Sequence, residues 1–433
     1  MVNTAIIKIW GEQVGAVAWN HESQLGSFEY DPEFIRKGWE LAPLKMPLSS
    51  GQRIFTFPDL RKSKDSEYDT YKGLPGLLAD VLPDKYGNRL ISAWLAKNGR
   101  PSDSMNPVEQ LCFIGTRGMG ALEFEPATFG RDKNTFSVEI DSLVGIARKM
   151  LSARSDFSAD LANHEEKAIS EIMKIGTSAG GARPKALIAY NEITGDVRSG
   201  QTKAPKGYDH WIIKLDGVSE EQFGESTGYG RVEYAYFKMA EECGIRMMPC
   251  RLNEENGRAH FMTQRFDREG NFKHHVQTWC AINHFDFNEV TSYSYEQLFQ
   301  TMRELRLPYP DAEELFRRMV FNVLAKNCDD HSKNFAFRLK KDKKWELSPA
   351  YDVCHAFRPD SLWVSQHALS VNGKRTHITK NDMEAVARAM SVKKGPVIID
   401  HINAVVKRWP EFAEEQKVPA AKRDEINATL STF

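Results

Sequence analysis

The spacing of apolar residues changes several times along the chain, and each change marks an element. Through residues 1–30 the short runs AIIKIW, VGAVAW and GSFEY, broken by Gly, Asn and His, predict a small antiparallel sheet. Residues 31–60 carry several prolines and little periodicity and are expected to be mostly loop, and the charged run 61–68 an exposed one. Helical spacing holds from Leu74 to Lys97, interrupted by the turn at Pro83, and a loop through Asn106 and Pro107 follows. The Gly-rich stretch FIGTRGMGALEFEP (113–126) reads as a turn before a strand that closes the N-terminal part, since a lone glycine cluster is weak support for a nucleotide fingerprint. Residues 137–174 are expected to be helical, with a domain boundary near 135–140, giving domains 1–138 and 139–433.

Beyond that boundary KALIAY (185–190), HWIIKL (210–215) and AHFMTQRF (259–266) have the β-branched and aromatic content of strands. The polar connection between the first two suits a hairpin. A helix is predicted from about Arg231 to Cys243, with Val232, Ala235, Tyr236, Met239 and Cys243 on one face. A second runs over 311–327, with Phe316, Met319, Val320, Val323 and Leu324 together, and WELS (345–348) is strand-like. The fold class expected is therefore α+β, β-rich at the start and largely helical toward the end.

Composition narrows the class of protein. With 433 residues, 41% hydrophobic and 27% charged, the chain can build a core of normal size and is not expected to be disordered. The net charge of -1 argues against strong autonomous nucleic-acid binding while leaving room for a local basic patch. The six cysteines form no CxxC pair, which suits a reduced, cytoplasmic protein better than a disulfide framework or zinc site. The start shows no basic region leading into an apolar one, and no apolar run approaches the ~20 residues of a membrane span, so no membrane partner is expected.

Four segments carry candidate chemistry. In NCDDHSKNF (327–335), Asp329 and Asn334 stand five apart on an expected loop. Kinases use this arrangement, an Asp to take the substrate hydroxyl proton and an Asn to give a neutral oxygen to Mg²⁺, although a polar loop with capping Asp and Asn has the same pattern. LSPAYDV (347–353) adds Asp352 after a short strand, where a kinase places its second metal-binding aspartate. Lys214 ends an apolar strand, where a buried ammonium needs a partner such as a phosphate or a route to solvent. GTSAGGARPK (176–185) runs small residues into a strand, as a phosphate-cradling loop does, but Ala182 stands where a Walker A loop needs lysine, and a flexible turn would look the same. In chain order these read Gly-rich loop, strand lysine, catalytic Asp, metal Asn, metal Asp, which is the order of a kinase.

SAGGARPK, HWIIKL, TQRFDR, CDDHSKNF and SPAYDV at these separations resemble the HipA family of serine/threonine kinase toxins. VGAVAWN, GSFEYDPEF, KMPLSS and GLLADVLPDKYG resemble its N-terminal region, so the similarity runs over nearly the whole chain. The resemblance implies a two-lobed protein-kinase-like fold using ATP and Mg²⁺, with Asp329 catalytic and Asn334 and Asp352 holding metal. It implies nucleotide contacts from Gly180, Gly181, Ala182, Arg183, Pro184 and Lys185, from Lys214, from Gln264, Arg265 and Phe266 beside the adenine, and from His331, Ser332, Lys333, Asn334, Tyr351 and Asp352. It further implies self-inactivation by phosphorylation at Ser178, with Thr177 adjacent, and growth arrest and persistence as the outcome of activity. The expected partners are a HipB-like helix-turn-helix antitoxin, operator DNA through it, and a protein substrate such as an aminoacyl-tRNA synthetase. A lipid or small-molecule kinase and a partner-binding pseudokinase are the alternatives.

The chain departs from the family pattern at Asp330, where Gly is frequent; a second carboxylate there is expected to raise the proton affinity of Asp329 or to bind metal. Glu233 is a candidate partner for Lys214. His164–Glu166 and His274–His275 lack metal-protease spacing and are expected at the surface or at caps.

Overall fold

The computed structural model describes residues 2–62, 68–129, 135–152, 173, 176, 183–201, 203–218 and 228–433. The chain forms two compact units. One comprises Met1–Gly230 and Arg251–Val276, the other Arg231–Cys250 and Gln277–Phe433.

The first unit holds two sheets. Strands β1 (Thr4–Ile9), β2 (Glu12–Asn20), β3 (Leu25–Tyr30), β4 (Ile54–Phe55) and β5 (Leu122–Glu125) lie in the order β4-β3-β2-β1-β5. Alternation explains the packing: Ile7, Ile9, Val17, Phe28 and Tyr30 are buried while their neighbours face outward. The strand expected to close the N-terminal part is β5, which pairs antiparallel with β1 from Ile9–Leu122 to Ile6–Glu125. Two short helices stand where loops are expected. Pro32–Lys37 is capped by Asp31, whose side chain accepts from the Glu33 N–H, and ends at Gly38 with φ 65°. Pro107–Ile114 is capped by Asn106, which accepts from Glu109 N–H at 2.8 Å. In both, a proline in the first turn, tolerated there because its missing N–H has no helical partner, hides the helix from a reading that treats proline as a breaker.

The second sheet is β6 (Lys185–Tyr190), β7 (Val197–Ser199), β8 (Asp209–Lys214), β9 (Cys250–Glu255) and β10 (Arg258–Gln264), ordered β7-β6-β8-β10-β9. The expected hairpin joins β6 to β7: the Asn191 side chain accepts from the Ile193 and Thr194 N–H groups, and Gly195 supplies φ 72°. All six β6 residues are buried. Their inner face joins a cluster that includes Tyr86, Leu90, Phe113, Val144, Trp211, Ile213 and Met262, so one core unites the N-terminal helices with this sheet. The expected boundary near 138 falls inside this unit.

The second unit is mainly helical. Helix Tyr229–Glu242 buries Val232, Ala235, Tyr236 and Met239, the face read from the sequence, and Cys243 is buried just beyond its end. Helix Tyr309–Leu324 buries Phe316, Met319, Val320, Val323 and Leu324 and ends three residues short of the expected end at 327. Ala336–Leu339 pairs antiparallel with Trp345–Leu347, the expected WELS strand. Helix Gly395–Val406 packs on Lys380–Ala389 and on Tyr309–Leu324, and Trp409, which opens helix Trp409–Glu415, is fully buried, as is Trp279. No helix among the described residues is long and apolar enough to cross a membrane.

His274 and His275 are buried, 3% and 1% exposed, which corrects their expected surface or capping role. His275 Nε2 lies 3.3 Å from Leu41 O, and burial pushes its pKa down to about 4, so it is a neutral core residue. His164–Glu166 lies outside the described residues.

Candidate active site

The first unit carries part of the set expected to meet the nucleotide, from Arg183 to Lys185, Lys214 and Gln264 to Phe266. Lys185 and Lys214 are directly opposite in the antiparallel β6–β8 register, and Phe261 of β10 stands opposite Lys214 on its other side. Like charges directly opposite destabilise a sheet, and an anion shared by both would offset that. Lys185 is buried and Lys214 half-buried, with the Lys214 ammonium 5.6 Å from the centre of the Phe261 ring. Leu215 N–H donates to Pro184 O at 3.0 Å, and the Arg183 guanidinium lies 3.8 Å over the Tyr229 ring. Gly180, Gly181, Ala182, Ser178 and Thr177 lie outside the described residues.

At the end of β10, Gln264 and Phe266 are half-buried, whereas the Arg265 side chain is fully buried and turned into a charge network. Asp267 accepts from Arg265 Nε at 2.8 Å and Nη2 at 2.7 Å, from Arg268 Nη1 at 2.6 Å and from Gly120 N–H at 2.8 Å. Burial would raise the Asp267 pKa, but the two guanidiniums hold it far below the carboxylate range. The TQRFDR motif is thus partly a structural lock. What Arg265 can offer a nucleotide is its backbone, whose N–H already donates to His210 O at 2.9 Å.

The second unit brings together the residues expected to do chemistry. After helix Tyr309–Leu324 the chain reverses at Lys326, φ 55°, and enters the loop 327–335. Asn334 lies in the 3₁₀ turn Ser332–Asn334 and its Nδ2 donates to Asp329 O at 2.6 Å, which leaves the amide oxygen for a cation. His331 Nε2 lies 3.6 Å from Asp329 Oδ1. The segment bearing Asp352 is pinned on both sides: Ala350 N–H donates to Arg246 O at 2.8 Å, and Cys328 N–H donates to Ala356 O at 3.0 Å. Tyr351 OH donates to Lys333 O at 2.7 Å, tying this segment to the Asp329 loop. Asp352 has φ 52°, a left-handed conformation that aspartate adopts more readily than most non-glycine residues. Asn334 and Asp352 also line one small cavity of about 20 Å³. The amide oxygen of Asn334 and the carboxylate of Asp352 are hard-oxygen donors of the kind that suits Mg²⁺.

Asp330 behaves unlike its neighbour. Its side chain is fully buried and accepts from Tyr295 OH at 2.8 Å, Ala368 N–H at 2.8 Å and His367 Nδ1 at 3.0 Å. Burial pulls the His367 pKa down, yet the Asp330 carboxylate more than offsets this and holds it up at about 10, so the pair is ionic. Asn322 Nδ2 donates to Tyr295 OH, and Asn327 Nδ2 donates to Asn322 Oδ1, extending the network under the loop. The expectation that Asp330 binds metal is therefore corrected, because its oxygens are committed to internal donors. Sequence reading missed Tyr295 and His367 because no local pattern links residues 35 and 37 positions from Asp330. Glu233, the candidate partner of Lys214, is buried in the second unit.

Comparison with known proteins bears on this geometry. Residues 177–411 match the family model described as the HipA-like C-terminal domain, and residues 5–125 match that of the HipA N-terminal domain. The chain is similar to the HipA toxin–antitoxin system of Shewanella oneidensis MR-1, solved with HipB and operator DNA. The TM-score is 0.66 at 14% identity, covering 98% of this chain and 96% of that one. It is also 23% identical over 276 residues to Y4dM of Sinorhizobium fredii, whose name marks it as a kinase. That alignment takes in 58% of this chain, and the chain spans 65% of the length of that curated relative.

Proposed function

The chain belongs to the HipA family, and from that premise we propose that it is an ATP- and Mg²⁺-dependent protein serine/threonine kinase acting as the toxin of a toxin–antitoxin pair in the cytoplasm. The observation that carries the reading is the joining of Asp329, Asn334 and Asp352 through the Asn334–Asp329 and Tyr351–Lys333 hydrogen bonds. In the reaction, the acceptor serine or threonine oxygen bonds to the γ-phosphorus as the bond from that phosphorus to the β–γ bridging oxygen breaks. The hydroxyl proton passes to a carboxylate oxygen of Asp329, and ADP leaves. Lys185 and Lys214 neutralise phosphate charge. Asn334 and Asp352 would hold the metal, which would supply positive charge to offset that of the phosphates.

Further parts of the proposal rest on the family resemblance: self-phosphorylation at Ser178 as an off-switch, growth arrest and persistence, a HipB-like antitoxin that carries operator DNA, and a protein substrate of the translation machinery such as an aminoacyl-tRNA synthetase. The test uses purified protein, labelled ATP and Mg²⁺ without added substrate. The wild type should label itself, and Asp329→Asn should keep nucleotide binding while losing transfer by about 10²–10⁴. Near-normal transfer by Asp329→Asn would remove the assignment of the base. Wild-type nucleotide binding without transfer would favour a pseudokinase.

A further inference from the structure

The segment that follows helix Trp279–Asn283 places an aromatic ring against the Asp329 loop. The helix ends at His284, φ 57°, and Phe285 N–H donates back to Cys280 O at 2.9 Å. The Phe285 ring stacks on Tyr293 at 4.4 Å and meets Trp279 edge-on at 5.2 Å. Asp286 N–H donates to Tyr293 OH at 2.9 Å, and the Asp286 carboxylate accepts from both the N–H and the Nδ2 of Asn288. Phe287 is thus held between two residues tied into a turn. Its half-buried ring lies 5.4 Å from the His331 imidazole and 4.7 Å from the Lys333 ammonium.

The hydrogen bonds at His331 give this contact a consequence. Lys333 N–H donates to His331 Nδ1 at 3.2 Å, so the neutral ring carries its hydrogen on Nε2, the atom 3.6 Å from Asp329 Oδ1. Asp329 is about half exposed, 47%, and its carboxylate would otherwise sample several orientations. We infer that Phe287 is a positioning residue for phosphoryl transfer: its ring backs the His331 imidazole, which steadies the Asp329 carboxylate, and holds the Lys333 side chain by a cation–π contact. This rests on the kinase reading above. It adds a residue that touches no reactant and acts through His331.

The test compares Phe287→Leu, which keeps an apolar side chain but no ring, with Phe287→Tyr and Phe287→Trp, which restore one. Phe287→Leu should lower kcat about fivefold, the scale of one modest aromatic contact, and leave KM for ATP within about twofold. The two aromatic variants should recover most of kcat, and thermal melting of all four proteins checks that they are folded. A second readout needs no activity. With ¹⁵N-labelled histidine, the wild type should show the Nε2–H tautomer of His331, and Phe287→Leu should show averaging between tautomers. Unchanged kcat in Phe287→Leu, an effect on KM alone, aromatic variants no better than Leu, or a wild-type His331 that is not the Nε2–H tautomer would each overturn the inference. A wild type without transfer that still shows the tautomer change would count against the kinase reading while supporting the hold of the ring on His331.

Discussion

Replacing Asp330 by Asn tests the buried support of the catalytic loop. The substitution keeps the shape and leaves Oδ1 able to accept from Ala368 N–H, but it removes the charge and turns Oδ2, which faces His367 Nδ1 and Tyr295 OH, into a donor. Removing one partner of a buried ion pair costs about 3–5 kcal/mol. The Asp330 carboxylate holds the His367 pKa up at about 10 against its burial, a shift of the same sign. The sign follows from linkage. A raised folded-state pKa contributes stability that is complete below about 6.5 and is lost as the pH climbs through about 10, since over that interval the folded state binds the extra proton. Asp330→Asn should therefore lose about 3 kcal/mol or more at pH 6 and much less at pH 10, where His367 is losing its proton in the wild type and is already neutral in the variant. Urea unfolding at a series of pH values, monitored in the second unit, measures both the loss and its slope. Equal stability of the two proteins at pH 6, or the same loss at pH 6 and pH 10, would refute the ionic pair.

Other substitutions reach different parts of the molecule. Asn334→Ala and Asp352→Ala should each weaken Mg²⁺-dependent nucleotide binding by removing an oxygen ligand, measured by titration calorimetry with and without the metal; unchanged metal dependence in both would displace the metal site. Lys214→Ala should raise KM for ATP and lower kcat, because an ammonium near the phosphates serves both binding and transition-state charge; steady-state kinetics identical to wild type would return it to a strand-end role. Asp267→Asn should cost about 3–5 kcal/mol, since it strands the buried Arg265 and Arg268 guanidiniums together, and a denaturation midpoint within error of wild type would show the network to be dispensable.

The elements legible in the sequence are those whose signal is local. Period-two runs gave β1 to β3, and the 3.6-residue spacing of Val232, Ala235, Tyr236 and Met239 gave both the helix and its buried face. The order of Asp329, Asn334 and Asp352 was equally local, and the structure adds that Asn334 is tied to Asp329 and that Tyr351, beside Asp352, is tied to Lys333. What could not be read depends on contacts far apart in the chain. His274 and His275 look like polar surface residues until the strand carrying them is seen packed beneath Leu41, 234 positions from His275. That the Arg265 guanidinium is committed to Asp267, which also accepts from Gly120 147 positions away, has no local signal in the sequence. Helix caps at Asn106 and Asp31 were visible as residues, but only the proline-first rule turns them into helix starts.

Asp329 and Asp330 are adjacent carboxylates that the fold sets to opposite tasks. Consecutive residues of an extended loop point in opposite directions, so one can face the reactants only if the other faces the interior. Asp329 is 47% exposed, while Asp330 is 0% exposed and meets donors from Tyr295, His367 and Ala368. A glycine at 330 would leave those three donors without this acceptor. The departure from the family pattern is therefore matched by the residues that surround it, and the protonated His367 cancels the charge that Asp330 would otherwise hold beside Asp329. The loop 327–335 is thereby fixed by a neutral ion pair beneath it, and Asp329 is the exposed carboxylate of the two.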